Sequence, residues 1–309
     1  MKIKSAALII ATAVSPVANA IVVGGIISTN TTWSNTSEVY TFSSTAQIKN
    51  GVTLTVGPGV KLDAGNIKVF GNLVIDGSTS APVKLTGVNV IPAGNGDPSK
   101  LFSMNIDHAS FIGGSIYYPT GNAIYGSLSL QDSMLTNVPY LYVWYPTSAV
   151  SIQRNIFTNS GGISVGSSSV NVLIENNVFD APNSFAVENW ASYGSAMTTV
   201  RYNSFLNTTH QVVRLPAGYN SAKLDARYNY WGTTNVATIE SMIFDENDDL
   251  SSGGAIPYAP FLTAAHAKTP SLSAVPEPQT YLLFLAGAMG IFYSIKRSAR
   301  TSSVQRGAT

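Results

Sequence analysis

Six segments of this chain superpose on one another. Met104 to Gly113, Leu128 to Asn137, Val150 to Asn159, Val172 to Ala181, Thr198 to Asn207 and Leu224 to Thr233 carry a large apolar residue at one shared position. That residue is Phe111, Leu135, Phe157, Phe179, Phe205 and Trp231 in turn, at separations of 24, 22, 22, 26 and 26 residues. Five places earlier stand Ile106, Leu130, Ile152, Ile174, Val200 and Ala226; seven places earlier stand Met104, Leu128, Val150, Val172, Thr198 and Leu224. Apolar positions two apart make a short strand with one inward face, and the polar pair that follows belongs to a turn. Two residues before the aromatic come Asn155, Asn177, Asn203 and Asn229. An asparagine there is expected to take a left-handed backbone and to stack its amide on the asparagine of the next coil. A repeat of roughly two dozen residues with one strand and one asparagine turn predicts an all-β solenoid, a parallel β-helix.

Leucine-rich repeats share the period but need regular leucines and a helix between strands. Gly161-Gly162 and Gly166-Ser167-Ser168-Ser169 supply none. A β-sandwich of evenly spaced strands stays open as the alternative. Only 11% of the chain is charged, and its wealth of Asn, Ser, Thr, Gly, Val and Tyr favours strands joined by tight turns. Aromatics one coil apart lie about 4.8 Å from one another and bury each other, so Phe157, Phe179 and Phe205 are expected in the core.

Earlier coils show a different register. Gly51 to Val56 alternates, Gly57-Pro58-Gly59 turns, Val60 to Leu62 returns, and Ile67, Val69, Leu73, Ile75, Val83 and Leu85 continue the pattern. The stretch from Trp33 through Thr86, with its GVTLTVGPGV coil, resembles the opening of secreted right-handed β-helix proteins of the pectate-lyase-like superfold. Asn229-Tyr230-Trp231-Gly232-Thr233, then Val236 to Phe244 and Pro257-Tyr258-Ala259-Pro260-Phe261, is similar to that group's closing coil and cap. The resemblance spans about residues 28 to 263 and implies a fold, not an activity. Ile239 to Phe244 are expected to form a short helix or turn over the open end, where unpaired backbone would otherwise template aggregation.

Both termini point to export. Lys2 and Lys4, the apolar run Ala6 to Val14 and Ala18-Asn19-Ala20 have the layout of a secretory signal peptide over residues 1–20, cleaved after Ala20. Residues 21–262 are then the β-helix domain, and 263–274, without periodicity, a flexible tether. At the other end stand Val275, Pro276, Glu277 and Pro278, an uncharged run from Gln279 through Ile295, and a basic stop of Lys296, Arg297 and Arg300. About 17 apolar residues at ~1.5 Å each reach the short end of what crosses a bilayer. The basic cluster places residues 301–309 in the cytoplasm and the body outside. The order of these parts resembles the PEP-CTERM sorting tail of Gram-negative bacteria over Val275 to about Arg300. The resemblance implies an exosortase as partner, cutting near the Pro-Glu-Pro, and a temporary inner-membrane anchor. A permanent C-terminal anchor is the alternative.

Without residues 1–20 and 276–309, 11 Lys and Arg remain against 15 Asp and Glu, a net of about −4. No concentrated basic face is present, which excludes a nucleic-acid binder. The chain has no cysteine, hence no disulfide framework and no thiolate zinc site.

Candidate chemistry is sparse. His108, His210 and His266 form no H-x-x-H or H-x-x-x-H pair, so no zinc site is expected and no metal or other cofactor is assigned. Asp245, Asp248 and Asp249 are the weak calcium candidates, in what reads as a solvated turn at the cap. Four places before the aromatic runs an outward row, Asp107, Gln131, Gln153, Glu175, Arg201 and Arg227, in which Glu175 is expected beside Arg201. Glu175 with Asp180, or Arg201 with Arg227, would suit a polysaccharide lyase or glycoside hydrolase, but a surface ion pair is favoured. Tyr140, Tyr142 and Trp144 alternate to make one aromatic face, and sugar rings pack on such faces. Tyr117, Tyr118, Tyr145, Trp190 and Tyr193 lie in similar insertions. The reading reached is an exported surface or matrix protein associated with extracellular polysaccharide and non-catalytic, with a lyase or hydrolase as the alternative.

Overall fold

The computed structural model describes residues 20–94, 97, 101–117 and 126–272. The expected signal peptide apart from Ala20, the expected sorting motif, apolar run, basic stop and cytoplasmic tail, and Tyr118 lie outside them. Among the described residues no helix is long and apolar enough to cross a membrane. The chain divides into two compact units at Pro270 and Ser271, and the description below concerns the first.

That unit is a parallel β-solenoid of the right-handed type with about eight turns. One face is a sheet of nine strands, from Thr31–Trp33 through Thr53–Val56, Asn72–Asp76, Phe102–Asp107, Gly126–Gln131, Val150–Gln153, Val172–Glu175 and Thr198–Arg201 to Leu224–Asp225. A second sheet of 15 strands wraps the other two faces. Its early strands Val39–Ile48, Lys61–Val69 and Val83–Pro92 run round both faces, which explains why the sequence shows another register there. From Ala109 onward the coil splits. Ala109–Ile112, Met134–Thr136, Ile156–Thr158, Val178–Asp180 and Ser204–Leu206 build the second face. Ser115–Ile116, Leu141–Trp144, Ile163–Gly166, Val187–Asn189, Val213–Arg214 and Ile243–Phe244 build the third.

The repeated positions fall in register. Met104, Leu128, Val150, Val172, Thr198 and Leu224 pair in one row, and Ile106, Leu130, Ile152, Ile174 and Val200 in another, all buried. Phe157 stacks on Phe179 at 4.9 Å, Phe179 on Phe205 at 5.5 Å, and Phe205 lies 4.8 Å from Trp231, so the aromatics are core, as expected.

The asparagines stack too, but the left-handed backbone is not theirs. Positive φ falls one residue earlier, at His108, Asp132, Arg154, Asn176, Tyr202 and Tyr228, with values from 48° to 63°. The corner needs one such residue to turn the chain between faces, and the next residue then points inside. There only a side chain that both donates and accepts can serve the coils on either side. Asn177 Nδ2 donates to Ile152 O and to Asn203 Oδ1 at 2.9 Å, while its Oδ1 accepts from the backbone N–H and Nδ2 of Asn155 at 2.9 Å. Asn155, Asn177, Asn203 and Asn229 are wholly buried.

The C-terminal end is closed as predicted. Val236–Ser241 is a short helix whose N-cap Asn235 accepts from Thr238 N, with Ile239 buried in the core. Ile243–Phe244 pairs onto Val213–Arg214, and Leu262 N donates to Asn229 O at 2.8 Å. The segment after Leu262, expected to hang free, is fastened at two points. His266 stacks on Tyr202 at 4.5 Å and bonds Asn176 Oδ1 at 2.8 Å, and Thr269 Oγ1 donates to Tyr202 O at 2.7 Å. Single contacts of this kind leave no periodic trace in a sequence.

Candidate functional site

Leu141–Trp144 puts Leu141 and Val143 in the core, so Tyr142 and Trp144 must point outward from the third face. Tyr140 precedes the strand and lies 5.4 Å from Tyr142, which lies 6.3 Å from Trp144. The three residues singled out in the sequence therefore form one surface. It continues across the coils, with Trp144 6.1 Å from Trp190 and Trp190 4.7 Å from Tyr219; Tyr145 adds a further ring against Trp144. Three coil spacings separate the ends of this strip, about 14 Å.

The rings are held by a carboxylate. Tyr142, Ser164, Glu188 and Arg214 occupy one register row across four strands. Glu188 Oε1 accepts from Ser164 Oγ and from Trp190 Nε1, both at 2.8 Å, and Ser164 Oγ accepts from Trp144 Nε1 at 3.2 Å. Arg214 Nη2 donates to Glu188 Oε2 at 2.6 Å while its guanidinium lies 4.7 Å from the ring centre of Phe185. Glu188 is nearly inaccessible, its side chain 4% exposed. A buried charge is tolerated only when paired and hydrogen-bonded, and each of these bonds also fixes an aromatic side chain or its support. Trp144 lies flat over Gly166, where a Cβ would meet the indole at 2.7 Å. Burial, with the charges of Tyr140 and Glu188, raises the Tyr142 hydroxyl above its ordinary value, so it stays a neutral donor. Sequence reasoning missed Glu188, Arg214 and Tyr219 because they lie outside the six superposed segments. Tyr193 is exposed and Tyr117 is half-buried, but neither ring joins the strip among the described contacts.

The outward row of the first face pairs its charges internally. Arg201 Nε donates to Glu175 Oε1 at 3.2 Å, as expected. Arg227 turns to Asp225 at 2.6 Å and Asp180 accepts from Asn207 at 2.6 Å, so among the described residues no hydrogen bond joins Glu175 to Asp180 or Arg201 to Arg227. The neighbouring left-handed residues form a second outward row that a shift of one position in the repeat alignment would have revealed. In it Arg154 clasps Asp132 through Nε and Nη2, at 2.8 and 2.5 Å, and Nη2 also reaches Gln131 Oε1.

At the cap, Asp245 is buried and accepts the backbone N–H groups of Asn247 and Ile256 at 2.9 and 2.7 Å. It organises the loop, in contrast to the solvated turn expected. Asp249 bonds Ser251, which holds its carboxyl below the ordinary value, and Asp248 accepts from Asp245 N. Asp245, Asp248 and Asp249 do not converge on a cation position among the described residues. The donor atoms that do converge, within 4.8 Å, belong to Asp107, His108 and Asp132, and Arg154 already occupies Asp132. His210 stands apart on the surface beside Thr209. Comparison with protein-family models, curated proteins and solved structures gives no match for this chain.

Proposed function

We propose that this chain is an exported β-helix protein of the cell surface or extracellular matrix that holds polysaccharide on the aromatic strip of its third face. One observation carries the reading: Tyr140, Tyr142, Trp144, Trp190 and Tyr219 form a continuous outward surface whose indoles are tied to the buried Glu188, itself paired with the half-buried Arg214. Rings fixed before binding lose little freedom when a sugar face settles on them, so their apolar contact is retained as affinity. In this reading the strip acts by binding. Export rests on the signal-peptide layout ending at Ala20. The PEP-CTERM-like tail, with exosortase as partner and Lys296, Arg297 and Arg300 as the stop, supports a transient inner-membrane stage.

The test is affinity electrophoresis of the full chain in gels containing acidic or neutral bacterial polysaccharides. Retardation by at least one polymer, lost in Trp144→Ala and kept in Glu175→Ala with Arg201→Ala, is the expected outcome. Equal mobility of wild type and Trp144→Ala in every gel would overturn it. Release of unsaturated uronate or new reducing ends, abolished by Glu175→Ala, would instead favour a lyase or glycoside hydrolase.

A further inference from the structure

One constellation remains outside the aromatic strip. His108 Nδ1 lies 2.6 Å from Asp107 Oδ1, and His108 Nε2 lies 3.0 Å from Thr79 Oγ1. A carboxylate only accepts, so Nδ1 carries the proton and Nε2 is left to accept from the threonine hydroxyl. Gln131 Nε2 donates to the second carboxylate oxygen, Oδ2, at 3.0 Å, which fixes the orientation of Asp107. Thr79 Oγ1 has no other partner among the described residues.

The backbone sets this geometry in advance. Gly77 N donates to Asp107 O at 3.0 Å and Val83 N to His108 O at 3.1 Å, so the loop bearing Thr79 is bolted to the two residues it faces. Ser78 and Ala81 exchange backbone bonds and close the turn. Gly77 packs so closely on His108 O that a Cβ would meet it at 2.1 Å. The N–H groups of Thr79 and Ser80, at the tip, make no hydrogen bond among the described residues. Thr79 is exposed, and His108 and Asp107 are 28% and 26% exposed, so the site is reachable from solvent.

We propose that Thr79, His108 and Asp107 form a nucleophile, base and orienting acid that hydrolyse short-chain O-acyl esters carried on an extended substrate. Hydroxyl, imidazole and carboxylate in this order are the parts of acyl transfer, recognised by geometry and not by chain order. Thr79 Oγ1 attacks the acyl carbon as His108 Nε2 takes its proton. The ester C–O bond breaks, and the alcohol leaves with that proton. Water, deprotonated by His108, then attacks the acyl-threonine, releases the carboxylic acid and restores Thr79. The net reaction is ester plus water to acid plus alcohol, with no other reactant. An open surface suits an acyl group that projects from a polymer, and the site is separate from the strip proposed to hold glycan.

The experiment is hydrolysis of p-nitrophenyl acetate by the full chain, with acid-quenched samples mapped by mass spectrometry. The expected result is turnover above the chemical background, acetyl on Thr79, and a loss of about 100-fold or more in Thr79→Val and His108→Gln, a typical contribution of acid–base catalysis. Thr79→Ser should stay active, and Asp107→Asn should fall in between. Thr79 is exposed, so the folded state of each variant, checked by circular dichroism, is expected to match wild type. Turnover no faster than background, full activity in Thr79→Val, acetyl elsewhere than on Thr79, or activity abolished by EDTA would each overturn the proposal, the last in favour of a cation at Asp107, His108 and Asp132.

Discussion

Asn177 shows how much one side chain does in this chain. It joins three coils: its removal takes the acceptor from the Asn155 N–H and Nδ2 and a donor from Ile152 O, while Asn203 Oδ1 keeps the backbone N–H of residue 177. Each buried group left without a partner costs about 1 to 3 kcal/mol, so Asn177→Ala should destabilise the solenoid by about 2 to 5 kcal/mol in chemical denaturation. Phe179→Ala should cost about 3 to 5 kcal/mol by opening a cavity in the aromatic stack. Asn159 bonds Asn137 at an exposed corner and has a left-handed backbone, φ 45°, so Asn159→Ala should cost about 1 kcal/mol, through the backbone and not through a stranded buried group. Equal effects at Asn177 and Asn159 would mean the corner is misassigned. The charges on the first face give a pH prediction. Hydrogen bonding from the Arg227 side chain holds Asp225 below its ordinary value despite partial burial. A depressed carboxyl contributes stability above its unfolded pKa and loses it as pH falls through the folded one. The melting temperatures of wild type and Asp225→Asn should therefore differ at pH 6 and converge below about pH 4. A constant difference down to pH 3 would contradict the pairing.

At the scale of the strand and the coil, the fold was legible where residues repeat and hidden where they do not. The period placed the rows of Ile106 and Phe111 in register because every coil reuses them. The row of His108, Asp132, Arg154, Asn176, Tyr202 and Tyr228 escaped notice because its members share a backbone angle and no side-chain chemistry. The aromatic strip was half legible. Alternation in residues 140–145 gave the face, but Glu188 and Arg214 are brought to it by pairing between strands 26 residues apart. Gly166 offers a test of how the strip is held. In Gly166→Ala the new methyl meets the Trp144 ring, so tryptophan emission should shift and polysaccharide retention should weaken while the far-ultraviolet circular dichroism stays that of strands. Unchanged emission and retention would mean that the ring's seat on Gly166 is immaterial.

At the scale of the whole molecule, the capped solenoid accounts for how the described residues up to Pro270 fold, and the tail is proposed to govern where the protein goes. In the proposed sorting reading the two prolines disfavour helix at the residues before them, and an extended segment there would suit a protease cleft. Replacing Pro276-Glu277-Pro278 by three alanines keeps the apolar run and the basic stop, so a plain anchor would behave as before. The sorting reading expects full-length protein to accumulate in the inner membrane, seen by intact mass of the fractionated chain. Wild-type surface protein that still carries residues 279–309, unaffected by the substitution, would establish a permanent anchor instead. The central claim, polysaccharide on the third face, is tested most directly by hydroxyl-radical footprinting of the full chain with and without the polymer that retards it. Protection should fall on Tyr140, Tyr142, Trp144, Trp190 and Tyr219. Protection centred on Glu175 and Arg201, or none at the five rings, would contradict the account.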